Sequence, residues 1–418
     1  MIQVTDIRIC DEGDCVVLSS QVRSEEPRLN GGELWIRYPR EYRECLSVSA
    51  DPWIALLLWP AMRLGHRLVV DAEGSSKLME AVATLMSIMH CWDERYRPIE
   101  VQTQGSLTSG DAGTAVATFF SGGVDSFYTV LKHSSSVVPA GERLTHLISV
   151  HGLDVRLDDR TLWTRVRGRL SDAATHLGCS WVECATNLRT IVSDEMVPWQ
   201  MHYGAVLAGV AMGLPGLWRK VLIPADQTYA DMFPSGSHPL VDPLWSTESL
   251  RVVNDGAEAT RIQKIQWQIA KSDAALRHLR VCWENRNGDY NCCECEKCIR
   301  TMISLKIAGV LDRCESFPRP LNYRRVAQVR FTSAGQRVLM VQNYQAAKAV
   351  GLEPALVHAI GRCLDASFSA RLRRGLYRRA ERLVAEARRF LFGRHSGQNA
   401  GSEGVAGEMP IRSVRRES

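Results

Sequence analysis

The chain has 418 residues and a formal net charge of +5, and its content of 45% hydrophobic and 23% charged residues is ordinary for a globular protein. The longest apolar stretch, Trp53–Met62, contains a proline and is too short to span a bilayer. The first residues lack a basic segment leading into an apolar one, so we expect no secretory signal and a cytoplasmic location.

Residues 1–110 have the pattern of a small N-terminal α/β module, and nothing in them has catalytic spacing. A stretch rich in glycine, serine and threonine, 104–113, predicts a linker to the next region. The elements predicted in this module are strands at 16–18, 33–38 and 68–70 and helices at 53–64 and 77–91.

An apolar run, Ala115–Phe120, leads directly into Ser121–Ser126, which reads Ser-Gly-Gly-Val-Asp-Ser and which we call the glycine loop. A helical pattern follows, so the predicted arrangement is strand, glycine turn and helix. Two adjacent glycines let the backbone approach a ligand, and the N–H groups at the start of a helix favour a phosphate. Ser121 and Ser126 add hydroxyl donors. We expect Asp125 to cap the helix, fix the loop or bind a metal ion, because its charge disfavours direct contact with phosphate.

From Thr114 onward, predicted strands and helices alternate, which indicates a doubly wound, Rossmann-like parallel sheet. The predicted strands are 115–120, 144–150, 181–184 and 220–224, and the predicted helices are 126–133, 159–177, 196–212 and 258–271. Ligands of such sheets bind beyond the carboxyl ends of the strands, where the strand order reverses. The loops after the first, second and fourth strands are therefore the candidate binding loops.

Two of these loops contain candidate polar residues. After the second strand, Asp154 could accept a hydrogen bond from a ribose hydroxyl, an adenine amine or a substrate amine, or could belong to an ordinary capped turn. After the fourth strand comes Asp226–Glu248, which we call the long loop. It is polar, aromatic and without a regular pattern, and such loops are usually functional or disordered. We expect it to contact substrate, with Asp231 and His238 as its main polar contributors and Asp242 and Ser246 next; a purely structural loop is the alternative.

Four cysteines with the spacing C-x9-C-x2-C-x2-C follow the α/β repeat and form a segment that we call the cysteine knuckle, 282–298. Four thiolates at these separations suit a tetrahedral, structural Zn²⁺ site, and an iron–sulfur cluster is the competing assignment. Cys293 lies inside the knuckle but fits the spacing less well, so we interpret it as a bystander, with a redox or sulfur-carrying role as the alternative. The predicted zinc ligands are Cys282, Cys292, Cys295 and Cys298.

The chain lacks a Walker motif, since no Gly-Lys-Ser/Thr occurs in it. The glycine loop instead resembles the SGGxDS signature of the PP-loop ATP pyrophosphatases, members of the adenine nucleotide alpha hydrolase-like superfamily. With the cysteine knuckle downstream, residues 114–310 resemble 7-cyano-7-deazaguanine synthase and its relatives. Those enzymes are shorter, and the long loop does not match their substrate loop. The resemblance implies that ATP is bound by Ser121, Gly122, Gly123, Asp125 and Ser126.

The resemblance implies an ATP- and Mg²⁺-dependent ligase that forms AMP and pyrophosphate. It would adenylate a carbonyl or carboxylate of a small molecule or modified base before a nitrogen or sulfur nucleophile attacks. The residues expected to take part in catalysis are Asp125, Ser126, Asp231 and His238, with Asp154 added to the ATP site. The alternatives are a tRNA-modifying PP-loop enzyme and a nucleotide- or RNA-binding relative without turnover.

The basic character of the chain is concentrated in residues 371–394, which contain nine arginines against Glu381 and Glu386. Their periodicity predicts an amphipathic helix over 371–392. Its basic face could be solvated, could bind RNA such as a tRNA, or could contact an anionic membrane or an acidic protein. The sequence thus predicts an N-terminal module (1–110), a PP-loop domain with the knuckle (114–315), a helical C-terminal region (316–395) and a disordered tail (396–418).

Overall fold

The computed structural model describes residues 1–110 and 112–365. The chain divides into one unit, Met1–Cys363, and a second unit, Leu364–Ser418, of which only the first two residues are described. Residues 366–418 lie outside the described residues. They include the predicted arginine-rich helix, the end of the predicted C-terminal region and the predicted tail.

The first unit is an α/β structure built on one ten-stranded sheet, in which six of the nine strand pairings are parallel. The strands are β1 Ile2–Glu12, β2 Cys15–Ser24, β3 Gly32–Pro39, β4 Leu68–Ser75, β5 Val101–Leu107, β6 Ala115–Phe119, β7 His146–His151, β8 Ser180–Thr186, β9 Trp218–Pro224 and β10 Arg251–Asp255. Their order across the sheet is β10-β9-β6-β7-β8-β3-β2-β1-β4-β5.

The α-helices cover both faces of this sheet. They are α1 Asp51–Leu64, α2 Ser76–Trp92, α3 Val124–His133, α4 Arg160–His176, α5 Leu188–Ile191, α6 Trp199–Met212, α7 Arg261–Trp267, α8 Asp273–His278, α9 Glu296–Ile307, α10 Tyr323–Gln328 and α11 Ala334–Ala349, and residues 354–365 are also helical. Alternate residues of β6 enter two separate cores: Ala117 and Phe119 pack with α1 and α6, whereas Val116 packs with α3 and α4. All residues of β6 are buried, as expected for a central parallel strand.

The half of the sheet formed by β6–β10 has the order β8-β7-β6-β9-β10, with every pair parallel. The chain moves outward from β6 in one direction through β7 and β8, and then returns to the other side of β6 to form β9. The strand order therefore reverses between β6 and β9, and the glycine loop leaves β6 at this point. The predicted α/β class and its mostly parallel sheet are confirmed.

The first five strands extend the same sheet through the antiparallel pair β3–β8. The stretch predicted as a linker, 104–113, begins inside β5, an edge strand whose residues are all exposed or half-buried. An edge strand of this kind has too few apolar residues to stand out in a sequence. Strands β1, β5 and β10 were not among the predicted elements.

Candidate functional site

A cavity of about 580 Å³, which we call the main cavity, opens at the carboxyl ends of β6, β7 and β9. The three candidate binding loops all contribute to it: the glycine loop follows β6, Asp154 follows β7 and Asp226 follows β9. The topology brings these residues together, because the carboxyl ends of parallel strands meet at one edge of a sheet.

The glycine loop presents unpaired N–H groups at the start of α3. Gly123 is the residue before the helix, and since it has no side chain it cannot cap the free N–H groups. The first helical hydrogen bond runs from the N–H of Phe127 to the carbonyl of Gly123 at 2.9 Å. Within the described residues, the N–H groups of Val124, Asp125 and Ser126 have no acceptor. These donors lie at the positive end of the helix dipole and are suited to an anion.

Glycine is required at position 122 for two reasons. Its φ of +74° is in the left-handed region, and a Cβ there would lie 3.0 Å from Cδ2 of Leu170 and 3.3 Å from Cβ of Arg280. Ser121 next to it is exposed, whereas the hydroxyl of Ser126 is buried and donates to the carbonyl of Gly123 at 3.1 Å. Ser121 is therefore the loop hydroxyl that is open to a ligand, and Ser126 fixes the turn.

Asp125 fixes the loop and does not cap the helix. One carboxylate oxygen accepts from Arg261 at 2.8 Å and the other from Lys264 at 2.8 Å, and the same ammonium group donates to the carbonyl of Ala225 at 2.6 Å. Burial alone would favour the neutral acid, but the charges of Arg261 and Lys264 hold the pKa of Asp125 well below its usual range. Both basic residues belong to α7, which begins with a Thr260–Gln263 capping box.

Several further cations line the main cavity. Arg300 is buried and pairs with Glu296 at 2.6 Å. No ion pair within the described chain neutralises Lys297, which lines the same cavity. Burial lowers the pKa of Lys297, and the nearby charge of Arg261 lowers it further. These cations make the cavity suitable for an anionic ligand.

Two carboxylates of the main cavity have no ion pair among the described residues. Asp154 is exposed at its rim, and its backbone carbonyl accepts from the side chain of Asn285 at 3.3 Å. Asp226 is half-buried and accepts a hydrogen bond from the hydroxyl of Tyr203 at 3.3 Å. Both are therefore available to a ligand or cation, in contrast to Asp125.

An apolar wall completes the main cavity on the side of β7 and α4. It is formed by Leu153, Val155, Trp163, Val166 and Leu170, which are buried or nearly so. The ring of Trp163 stacks on that of His151 with 4.4 Å between the ring centroids, and the wall offers apolar contacts to a ligand in the cavity.

A smaller cavity of about 160 Å³, the side cavity, shares Asp226, Lys297 and Arg300 with the main cavity. Asp231 of the long loop lines it, is exposed and accepts from the side-chain amide of Gln342 at 2.9 Å. The aromatic rings of Phe233 and Trp283, both largely exposed, also line it. Of the residues singled out in the long loop, Asp231 is thus the one that faces a cavity.

The structure does not bring His238 to either cavity. Its ring packs edge-on against Trp92 at 5.1 Å, and its Nδ1 accepts from the N–H of Leu240 at 3.1 Å. Burial lowers the pKa of His238, so the neutral ring is favoured. Ser246 also lies away from the cavities, and its hydroxyl oxygen accepts from the N–H of Val252 at 3.0 Å.

Asp242 is the organising residue of the long loop. It is fully buried and accepts from the hydroxyl of Ser237 at 2.6 Å, the amide of Asn254 at 2.8 Å and the N–H of His238 at 3.2 Å. Burial raises the pKa of Asp242 to about 7, although these hydrogen bonds oppose the shift. The polar residues of this part of the loop therefore satisfy one another.

The four predicted ligand cysteines form a compact buried cluster in which all Sγ atoms lie within 4.8 Å of one another. The Sγ atoms of Cys282 and Cys295 are 4.0 Å apart, and those of Cys292 and Cys298 are 3.9 Å apart. A tetrahedral zinc ion with Zn–S bonds of about 2.3 Å needs sulfurs about 3.8 Å apart. The cluster therefore fits a metal ion such as zinc.

Hydrogen bonds around the cluster fix the shape of the knuckle. Sγ of Cys292 and Sγ of Cys295 accept backbone N–H bonds at 3.3 and 3.4 Å. Cys293 has a left-handed backbone with φ of +57°, and its thiol donates to the carbonyl of Asn291 at 3.5 Å, outside the four-sulfur cluster. Cys295 also caps α9, so the knuckle sets the start of the helix that presents Lys297 and its neighbours to the cavities.

Sequence reasoning missed the basic residues of the site. Those that line the cavities or hold the glycine loop are Arg189, Arg261, Lys264, Arg280, Lys297 and Arg300. Two of them had a usable signal, since Lys297 lies between two ligand cysteines and Arg280 lies two residues before the first of them. The pair on α7 had no signal of its own, because only the fold brings it to Asp125.

Comparisons with family models, with curated proteins and with solved structures gave no match to this chain. Among the described residues, no helix combines the length and the apolar character needed to cross a membrane.

Proposed function

We propose that the main cavity binds ATP and that the protein is a ligase of the PP-loop type, which releases AMP and pyrophosphate. The observation that carries this proposal is the glycine loop: unpaired N–H groups at the start of α3 open into a cavity lined by cations, at the point where the strand order reverses. A leaving pyrophosphate is the anion that these groups are best suited to stabilise.

The rest of the cavity suits the other parts of the nucleotide. The part of the apolar wall formed by Leu153, Val155 and Trp163 offers packing for the adenine ring. Asp154, exposed at the rim after β7, can accept from a ribose hydroxyl or from the adenine amine. The phosphates would then extend from this wall towards the glycine loop.

The carboxylates of the cavity divide into two groups with respect to Mg²⁺. Both oxygens of Asp125 already accept charged donors, so this residue is unsuited to bind a metal ion. Asp226 lacks an ion pair in the described part of the chain and offers the oxygen ligands that Mg²⁺ prefers, whereas Asp154 is assigned to the nucleoside. Mg²⁺ bound there would neutralise phosphate charge.

In the proposed reaction, an oxygen of a carboxylate or carbonyl on the acceptor attacks the α-phosphorus of ATP. The bond from this phosphorus to the bridging oxygen breaks, and pyrophosphate leaves towards the glycine loop. A nitrogen or sulfur nucleophile then attacks the activated carbon, and AMP leaves. Lys297, shared by both cavities, is suited to orient the acceptor oxygen, so the side cavity is our proposed acceptor site. Catalysis here is chiefly positional and electrostatic.

In this proposal, the cysteine cluster holds a structural zinc ion. Cys282, Cys292, Cys295 and Cys298 would bind it, and four thiolates leave no coordination position for a substrate. The ion would supply folding free energy to the knuckle and, through the cap at Cys295, would fix the start of α9.

The proposal is tested by calorimetric titration of ATP and by a pyrophosphate-release assay with a panel of carboxylates and modified bases, each with and without ammonia. We expect ATP binding, and pyrophosphate release only with a suitable acceptor. Gly122→Ala should weaken ATP binding at least tenfold, because the added Cβ strains the left-handed backbone and meets Leu170. Gly168→Ala, in an open position on α4, is the matched control and should bind normally.

The outcomes separate the possible functions. Absence of ATP binding in the unchanged protein would overturn the proposal as a whole. Binding that is sensitive to Gly122→Ala, with no pyrophosphate released for any acceptor, would support the alternative of a nucleotide-binding protein without turnover.

A further inference from the structure

Arg280 lies directly against the glycine loop, although it is far from it in the sequence. Its backbone N–H donates to the carbonyl of Gly122 at 2.7 Å, and its carbonyl lies 3.6 Å from the position that a Cβ on Gly123 would take. Arg280 lines the main cavity together with Ser121 and the first residues of α3. The residue is thus fixed where the loop presents its unpaired N–H groups.

The guanidinium group of Arg280 is buried and incompletely paired. Only 5% of the residue is exposed, and Nη2 donates to Oδ1 of Asn285 at 2.9 Å. Nε is buried and has no hydrogen-bond partner among the described residues. An arginine carries five N–H donors, and a buried charged donor without an acceptor is costly. Nη1 also has no hydrogen-bond partner among the described residues and, unlike Nε, is not enclosed by protein, so a ligand anion in the main cavity can accept from it.

We propose that Arg280 binds the terminal phosphates of ATP and then the pyrophosphate that leaves. The inference rests on the proposed function and deepens it, since it names the cation that the glycine loop itself lacks. The unpaired N–H groups of α3 and the guanidinium of Arg280 form the two sides of one anion site. Guanidinium groups suit this role because their planar donors match phosphate oxygens in pairs.

The cysteine knuckle positions Arg280. The arginine precedes the ligand Cys282 by two residues, and Oδ1 of the buried Asn291 accepts from the N–H of Val281 at 2.9 Å and of Cys282 at 3.2 Å. The side-chain amide of Asn291 donates to the carbonyls of Leu279 and Ser316 at 2.8 and 3.0 Å. A metal ion on the cysteines would therefore stabilise the segment that carries Arg280, and its loss should weaken anion binding.

The test is calorimetric titration of inorganic pyrophosphate and of ATP into the purified protein and its variants. Arg280→Met keeps the length of the side chain and removes its charge, and we expect affinity for both ligands to fall on the order of 10- to 100-fold. Arg280→Lys should lie between Met and the unchanged protein, because lysine restores charge without the paired donors. Arg277→Met is the control, since Arg277 is half-exposed and does not line the cavity.

Circular dichroism and thermal unfolding of each variant show whether a loss of binding reflects misfolding. If Arg280→Met is folded and binds pyrophosphate as tightly as the unchanged protein, the inference is wrong, whereas the proposed function still stands. If the unchanged protein binds neither ATP nor pyrophosphate, the proposed function itself fails.

The proposal that the cysteine knuckle positions Arg280 is tested by measuring pyrophosphate binding, not turnover. Removal of the metal by a chelator should lower pyrophosphate affinity of the unchanged protein to that of Arg280→Met, and should lower the affinity of Arg280→Met little further. Asn285→Ala, which releases Nη2 but leaves the ligand cysteines intact, should weaken binding several-fold at full metal content. Equal losses in both proteins on metal removal, with the fold retained, would overturn the link between the knuckle and Arg280.

Discussion

The glycine loop and the long loop are both polar loops that follow parallel strands, yet their polar groups are used differently. The glycine loop is held from outside: Arg261 and Lys264 pair with Asp125, and the N–H of Arg280 donates to Gly122. Its own N–H groups stay unpaired and face the main cavity. In the long loop, the buried Asp242 accepts from its own neighbours, and this part of the loop lines neither the main cavity nor the side cavity.

The two loops differ in how many of their polar groups remain available to a ligand. A loop that satisfies its polar groups internally is stable but has nothing left to offer a ligand. A loop that is fixed by distant residues can keep its donors free at low conformational cost. The number of polar residues therefore says less about function than the number of polar groups without a partner.

The largest expected effect concerns the cysteine cluster, which belongs to the external support of the glycine loop. We expect about one zinc ion per chain by elemental analysis, and its loss in Cys295→Ser, because apparent zinc affinities of such sites correspond to about 10–16 kcal/mol. The matched control, Cys293→Ser, should keep its zinc, since this thiol lies outside the cluster. A brown iron chromophore in the purified protein would instead support the iron–sulfur assignment.

The next largest effect concerns Asp125. Asp125→Ala leaves Arg261 and the almost fully buried Lys264 without their counter-ion, so the free energy of unfolding should fall by about 3–5 kcal/mol in urea denaturation. Asp154→Ala, which removes an exposed carboxylate of the same cavity, should change it by less than about 0.5 kcal/mol. Equal stability of the two variants would mean that the ion pairs do not fix the glycine loop.

The free energy of unfolding should depend on pH in opposite directions for the buried carboxyl groups of the two loops. The pKa of Asp242 is raised by burial to about 7, so the folded protein binds this proton more tightly than the unfolded chain does. Its contribution to stability is present below about pH 4 and is lost as the pH rises to about 7. The lowered pKa of Asp125 has the opposite sign, and its contribution is lost as the pH falls below about 4.

We therefore expect Asp242→Asn to flatten the pH dependence of the free energy of unfolding between about pH 4 and 7, relative to the unchanged protein. Urea denaturation at several pH values measures this slope, which one titrating group can change by up to about 1.4 kcal/mol per pH unit. Identical slopes for the two proteins would contradict the burial-raised pKa of Asp242.

The smallest expected effects are those of substitutions at Asp231 and His238 in the long loop, and the two substitutions should affect different properties. Asp231→Asn alters the side cavity, so we expect acceptor-dependent pyrophosphate release to fall about tenfold while ATP affinity is unchanged. His238→Gln should cost about 1 kcal/mol of stability through its buried contacts and leave both activities within a factor of about 2. A loss of ATP binding in His238→Gln would show that the part of the long loop around His238 also shapes the main cavity.

Much of the fold followed from local patterns. The apolar runs predicted β6, β7, β8 and β9 to within a few residues, because central parallel strands are apolar on both faces. Strands β5 and β10 were missed, since partly exposed edge strands lack that signal. The continuation of the sheet from β8 to β3 depends on pairing between distant segments, which periodicity does not encode.

The sequence by itself determined the glycine loop and the four clustered cysteines, because each depends on residues close together in the chain. Only the tertiary structure decided that Asp125 pairs with a residue 136 positions away, that Arg280 lies beside Gly122, and that His238 faces neither cavity. The physical reason is that hydrogen-bond satisfaction is a property of the folded neighbourhood. A polar residue in a sequence becomes a candidate ligand group only when folding leaves it without a partner at a cavity.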